Sequence, residues 1–116
     1  GDPGARYTLA GMKNVVMSHK CKTEIKAICE KLTVGAKNDE QKVQAVLRWA
    51  TAVLKYEKDP PDQELVKSPC RILRELNAVG RATGDCDDYS VLLASCFKEM
   101  GIAKAIERNF RNFLYR

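Results

Sequence analysis

The sequence predicts a single, mostly helical domain, and three observations lead to this prediction. The chain has 116 residues of which 45% are hydrophobic, enough to bury a core in one domain without a disulfide framework. In several segments apolar residues recur at the three- and four-residue spacing of a helix face, and capping residues, glycines or prolines separate these segments. No repeat, low-complexity tract or Gly/Ser-rich linker divides the chain. We therefore expect one domain over residues 1–116.

Two helices are predicted in the first third of the chain. The first begins at Thr8, as its N-cap, and continues through Met12 and Val16. The second spans about residues 20–32 and stops before Gly35. Its predicted buried face consists of Cys21, Ile25, Ile28, Cys29 and Leu32.

Two more helices have clear start signals. Asn38 followed by Gln41 resembles a capping box, and the helix after it carries a long apolar stripe. That helix is predicted to end near Tyr56, because the two prolines that follow cannot continue it. Ser68 directly before a proline marks the next start, and Gly80 is placed to end that helix.

The segment 84–101 is the most informative part of the chain. Its start reads Gly-Asp-Cys-Asp-Asp, and a run of apolar residues follows. Asp85 is the predicted N-cap and would accept the backbone N–H of Asp88. Asp87 and Asp88 either place negative charge in the first turn or anchor a loop. Cys86 then occupies the first helical position. Backbone N–H groups at a helix start favour a thiolate, whereas the three nearby carboxylates oppose it.

Cys86 differs from the other cysteines in its position. Five cysteines without a C-x-x-C pair favour reduced thiols in a cytosolic protein, and a single histidine, His19, makes a zinc site unexpected. We expect no metal and no cofactor. Cys86 alone stands at a capped helix start after a glycine-bearing loop, which makes it the candidate nucleophile. The cysteines interpreted as core residues within helical patterns are Cys21, Cys29, Cys70 and Cys96.

The block at residues 84–89, together with Leu-Leu-Ala at residues 92–94, resembles the nucleophile helix of the transglutaminase-like superfamily. The resemblance continues upstream through residues 43–56 and 59–73. Taken in order, these segments are most similar to transglutaminase-like domains of bacteria, prophages and Mu-like phages, in which a segment like residues 4–12 also precedes the helices.

This resemblance implies an α+β fold with a papain-like core, of which the chain holds mainly the N-terminal helices while the following antiparallel sheet is largely missing. It also implies a protein or peptide substrate and a mechanism like that of papain, with hydrolysis of a peptide or isopeptide bond favoured over crosslinking. Asp85, Asp87 and Asp88 would be active-site neighbours of Cys86. Tyr56 could lie near the oxyanion, although packing is the preferred interpretation of its ring.

The chain lacks the base that such a mechanism needs. No histidine follows Cys86, and His19 is interpreted as a solvated loop residue outside the site. The resemblance predicts a strand after Ile102, yet the apolar residues of segment 104–116 also have helical spacing. Three explanations stay open: a domain incomplete at its C-terminus, a non-catalytic interaction module with a degenerate site, or a partner chain that supplies the missing strands and histidine.

The charge and hydropathy of the sequence argue against two classes of partner, nucleic acids and membranes. The net charge is +5, of which segment 101–116 contributes +3, a patch too small to predict nucleic-acid binding in the absence of a reader motif. No uncharged stretch approaches the ~20 apolar residues of a membrane span, and the first residues have no apolar signal core. We expect a cytoplasmic protein, and the resemblance implies an association with a phage or prophage.

Overall fold

A computed structural model describes residues 3–58 and 66–114, which fold into six helices and a two-stranded sheet. Its mostly helical content agrees with the class expected from the spacing of apolar residues. The elements are α1 (Pro3–Ser18), α2 (Lys22–Leu32), α3 (Asp39–Val53), β1 (Leu54–Tyr56), α4 (Pro69–Val79), β2 (Ala82–Gly84), α5 (Cys86–Glu99) and α6 (Ala103–Leu114).

Helix α5 is the centre of the fold, and every other helix packs against it. Residues 90–97 are all buried, because apolar or small side chains lie on every side of this helix. Val91 and Ala94 contact α1 and α6, while Leu92, Cys96 and Phe97 belong to the larger core shared with α2, α3 and α4. Within the described ranges, no helix has the length and hydropathy needed to span a membrane.

Three predicted helix starts are confirmed together with their caps. The side chain of Asn38 accepts the backbone N–H of Gln41 at 2.9 Å, and that of Ser68 accepts the backbone N–H of Arg71 at 3.1 Å. Asp85 caps α5 in the same manner. Gly80 ends α4 in the left-handed conformation, with a φ of 78°, which glycine adopts without steric cost.

Two predicted boundaries are wrong. Helix α1 begins at Pro3, so Thr8 lies inside the helix and is not its N-cap. Proline suits the first helical turn, where its missing N–H would have no partner. Helix α3 ends at Val53, and the chain continues to Tyr56 as strand β1. The prolines expected to end that helix lie outside the described residues.

The strands β1 and β2 are parallel, with Leu54 opposite Ala82 and Tyr56 opposite Gly84. They precede the cysteine helix, so they are not the antiparallel sheet implied by the resemblance, and that sheet stays a prediction. Residues 103–114 form helix α6, with Ala105 and Phe110 buried. The helical spacing of this segment therefore describes it correctly, whereas the strand expected after Ile102 is not formed there.

The expectation of five reduced thiols is wrong for two of them. Cys21 and Cys70 form a disulfide, with their Cα atoms 5.6 Å apart and 49 residues between them in sequence. Cys21 lies at the start of α2 and Cys70 in the first turn of α4, so the bond joins two helix starts. Cys29, Cys86 and Cys96 are free, and of these only Cys86 is not fully buried.

Candidate active site at the start of helix α5

Cys86 sits at the first position of α5, inside a reciprocal capping arrangement. Asp85 Oδ1 accepts the backbone N–H of Asp87 at 3.1 Å and that of Asp88 at 3.3 Å. In return, Asp88 Oδ2 accepts the backbone N–H of Asp85 at 3.1 Å. This is the capping box of the helix start, and it confirms Asp85 as the predicted cap. The backbone that carries the Cys86 thiol is therefore held on both sides.

Asp88 is fully buried and has a second partner far away in sequence. Its Oδ1 accepts the backbone N–H of Lys67 at 2.8 Å. The carboxylate thus ties the loop before α4 to the start of α5. The sequence interpretation assigned Asp88 either to first-turn charge or to anchoring a loop, and this contact is such an anchor, although nothing in the sequence identified Lys67 as the partner.

Gly84 is required by the position of Asp88. A Cβ atom at Gly84 would lie 2.7 Å from the Cβ of Asp88 and 2.8 Å from its Oδ2, closer than real side-chain contacts allow. The Gly-Asp-Cys-Asp-Asp block therefore divides into two roles. Gly84, Asp85 and Asp88 build the frame, while Cys86 and Asp87 occupy half-buried positions on it.

A lysine clamp supports the strand that leads into this frame. Lys67 Nζ donates to both carboxylate oxygens of Glu75, at 3.1 and 2.9 Å, and to the backbone carbonyl of Thr83 at 2.6 Å. Burial raises the pKa of Glu75, but hydrogen bonds from Lys67 and from the Thr83 N–H outweigh that effect, and the pKa is lowered. The clamp therefore holds β2 in place through an ionised carboxylate at neutral pH.

Tyr56 is brought to the same end of α5 by the sheet. It lies opposite Gly84, and the next residue, Glu57, donates its backbone N–H to the Gly84 carbonyl at 2.8 Å. The Tyr56 side chain is 59% exposed, so the preferred interpretation of a packed ring is wrong. The exposed Tyr56 side chain therefore lies on the strand next to β2, and β2 leads directly into the helix start that carries Cys86.

His19 is buried, which contradicts its interpretation as a solvated loop residue. Its Nε2 lies 3.0 Å from Oε2 of Glu99, the last residue of α5. Burial lowers the pKa of His19 and the nearby charge of Lys98 lowers it further, while Glu99 acts in the opposite direction. The imidazole is therefore neutral at pH 7.

The position of His19 excludes it as a partner for Cys86. The two residues contact opposite ends of α5, and at 1.5 Å per residue a helix from Cys86 to Glu99 is about 20 Å long. Proton transfer to a base requires contact at about 3 Å, directly or through one water molecule. Because His19 is the only histidine of the sequence, no imidazole of this chain lies next to the Cys86 thiol.

Comparison with known proteins supports the resemblance at the level of the superfamily. The family model described as the transglutaminase-like superfamily matches residues 26–111, about three quarters of the chain. No curated protein and no solved structure matches the chain. The closer likeness to bacterial, prophage and Mu-like phage domains stays a prediction.

Proposed function

The chain belongs to the transglutaminase-like superfamily, and on that premise we propose that Cys86 is the nucleophile of a cysteine-dependent acyl transfer or amide hydrolysis. One observation carries the proposal: Cys86 is a free, half-buried thiol on a helix start locked by its capping box. The other free thiols, Cys29 and Cys96, are buried and out of reach of a substrate. A helix start is also a setting that activates cysteines, because the helix dipole favours negative charge there.

The proposed reaction has two steps. The Cys86 thiolate attacks the carbonyl carbon of an amide, the C–N bond breaks, and the departing amine takes up a proton, leaving a thioester on Sγ. Water or a second amine then attacks the thioester and restores the thiol. The backbone N–H of Cys86 is the proposed donor to the oxyanion, because the helix dipole favours negative charge at that point. The exposed Tyr56 hydroxyl is a candidate second donor.

The histidine that moves the proton has to come from polypeptide outside this sequence, since His19 lies at the far end of α5. Within the described residues, β1 pairs only with β2, and Lys67 and Glu75 already bond the Thr83 backbone groups of β2, so the outer edge of β1 is the one that offers backbone groups to further strands. We propose that such strands, from a continuation of the chain or from a partner chain, carry the histidine and an orienting aspartate. The proposed substrate is a protein or peptide, cleaved at a peptide or isopeptide bond, in a bacterial or phage setting.

A second candidate function is a non-catalytic interaction module with the same fold. The observation in its favour is that the only imidazole of the sequence contacts Glu99, the last residue of α5, whereas Cys86 is the first residue of this helix of about 20 Å. In that case Cys86 would have the reactivity of an ordinary thiol. The two functions predict different results in one experiment.

That experiment supplies the missing base from solution. The chain is mixed with a p-nitrophenyl ester, with and without added imidazole, and the adduct is mapped by mass spectrometry. A nucleophilic Cys86 gives one equivalent of p-nitrophenol and a thioester on Cys86, formed faster with imidazole. Cys86→Ser should give no thioester and no release above that of imidazole alone, while His19→Gln, at the other end of α5, should behave like the original chain. Acyl groups distributed over other residues, or release by Cys86→Ser that still exceeds the release by imidazole alone, would refute the nucleophile assignment.

A further inference from the structure

The opposite end of α5 holds a second cluster of reactive side chains, which the chemistry proposed for Cys86 does not use. Nδ1 of His19 and the Sγ atoms of Cys21 and Cys70 all lie within 4.8 Å of one another. His19 Nδ1 is 3.5 Å from Cys21 Sγ. His19 and Cys21 are buried, and Cys70 is half-buried. One nitrogen and two sulfurs thus converge at the edge of the core.

The imidazole is held in the orientation of a metal ligand. Nδ1 of His19 accepts the backbone N–H of Cys21 at 3.3 Å, so Nδ1 carries the lone pair and Nε2 carries the proton. Nε2 faces the carboxylate of Glu99 at 3.0 Å, and the two side chains are only 0% and 5% exposed. The N–H is not well aligned for a hydrogen bond, so the contact is mainly electrostatic. A carboxylate behind the ring is typical of metal-binding histidines.

The two sulfurs are positioned by separate helices. Cys21 precedes α2 and Cys70 lies in the first turn of α4, and their Cα atoms are 5.6 Å apart. A dithiol reductant would convert the disulfide to two thiols by supplying two electrons and two protons, and would itself become a disulfide. Because the helices are also held by the core, we expect both thiols to stay next to His19 wherever the reduced chain remains folded.

The distances fit a tetrahedral ion. Zinc binds sulfur at about 2.3 Å and nitrogen at about 2.0–2.1 Å, so that neighbouring ligand atoms lie about 3.5–3.8 Å apart. The distance of 3.5 Å between His19 Nδ1 and Cys21 Sγ already has this value. Two thiolates also neutralise a divalent cation, which removes the cost of burying an uncompensated charge.

We propose that the reduced chain binds Zn²⁺ through Nδ1 of His19 and the Sγ atoms of Cys21 and Cys70, with a fourth position open to water. The two thiols release their protons to solvent, and the imidazole turns its lone pair from the Cys21 amide to the ion. The disulfide and the ion exclude each other, since both need the same sulfur atoms. Either one links the starts of α2 and α4. One histidine and two cysteines are enough for such a site, so a single histidine does not argue against zinc.

The test uses the whole chain, reduced with a dithiol that is then removed by gel filtration without oxygen. Co²⁺ is titrated first, because its thiolate charge-transfer and tetrahedral ligand-field bands report the ligands, and Zn²⁺ is added in competition. We expect one equivalent bound by the reduced chain and none by the oxidised chain. Cys21→Ser and His19→Gln should lose these bands. Cys86→Ser, which removes the thiol at the other end of α5, is the matched control and should bind normally.

A smaller change probes the carboxylate behind the ring. Glu99→Gln removes the charge next to Nε2 and should weaken zinc binding roughly 10–100-fold without changing the stoichiometry, as expected for an outer-shell partner. Unchanged affinity in both Cys21→Ser and His19→Gln would place the ion elsewhere and overturn the proposal. So would a reduced chain that keeps its helical circular dichroism and binds no ion.

Reduction could also unfold the chain, and that outcome is decisive as well. In that case one equivalent of Zn²⁺ should restore the helical circular dichroism of the reduced chain. It should do so for Cys86→Ser but not for His19→Gln. A reduced chain that stays unfolded in the presence of zinc would contradict the proposed site.

Discussion

The two ends of α5 differ in their reactive groups: one has a free thiol without a histidine, and the other has a histidine beside a disulfide. At the first turn, Cys86 is free and reachable, and its surroundings are backbone and carboxylate groups. At the last turn, His19 is buried against Glu99, and the nearby sulfurs of Cys21 and Cys70 are joined. A cysteine, a histidine and an acid are all present in the chain, but one helix length separates them. The chemistry of this chain therefore depends less on which residue types it contains than on the end of α5 at which the fold places each of them.

The largest expected effect concerns the disulfide end. Replacing Cys21 and Cys70 together by Ala, in the presence of a chelator, should lower the free energy of unfolding by about 4 kcal/mol, because the bond closes a loop of roughly 50 residues in the unfolded chain. Urea denaturation measures this change. The alkylation rate of Cys86 in the folded variant should stay the same. A large change in that rate would mean that the two ends are coupled.

Asp88→Ala should break the frame at the other end. It removes the acceptor of the Lys67 and Asp85 N–H groups from a fully buried position, and unpaired buried donors of this kind cost about 1–3 kcal/mol each. We expect a loss of about 2–4 kcal/mol in urea denaturation and slower modification of Cys86. Asp88→Asn keeps one acceptor oxygen and is the matched control. Unchanged stability of Asp88→Ala would contradict the frame. Equal losses for Asn and Ala would mean that both carboxylate oxygens are needed and that the size of the side chain is not, because Asn has the size of Asp.

Asp85→Ala should have a smaller effect, because it removes the cap and leaves the buried carboxylate of Asp88 in place. Loss of an N-cap typically costs about 1 kcal/mol. Asp85→Asn, which can still accept the N–H groups of the first turn, should recover most of the stability in the same assay. If Asp85→Ala abolished acylation of Cys86 at unchanged stability, Asp85 would have a chemical role besides capping.

The smallest effect is a dependence on pH. The pKa of Glu75 is lowered from 4.5 in the folded chain, so the unfolded chain binds its proton first as the pH falls. The contribution of the clamp is therefore complete above about pH 4.5 and is lost as the pH drops through the folded value. Glu75→Gln should flatten this part of the stability profile, and Lys67→Met should shift it. An unchanged dependence of stability on pH in both variants would mean that the clamp does not contribute to stability.

Local features of the fold could be predicted from the sequence, and contacts between distant segments could not. The caps at Asn38, Ser68 and Asp85 are each encoded within four residues, and all three are confirmed. The segment after Ile102 also follows its own helical spacing, although the resemblance implied a strand. In these places the residues themselves contain the information that determines the backbone.

Apart from the start of α1 and the end of α3, the missed features depend on which segments meet. His19 is buried because the start of α2 packs at the end of α5 beside Glu99, and its own neighbours in sequence do not indicate this. The pairing of Cys21 with Cys70 and the bond from Lys67 to Asp88 likewise join segments far apart in the chain. Apolar spacing shows which face of a helix is buried. It does not show which helix covers that face.

The central claim is that the fold makes Cys86 a reactive thiol, and its alkylation rate tests this most directly. The rate with iodoacetamide is measured at about pH 7 by peptide mapping, in the folded chain and in the same chain unfolded in urea, with the disulfide intact. The account predicts faster modification of Cys86 in the folded chain, as for a nucleophile held at a capped helix start. It also predicts protection of Cys29 and Cys96, which are buried. A Cys86 that reacts no faster when folded would contradict the claim and favour the non-catalytic module.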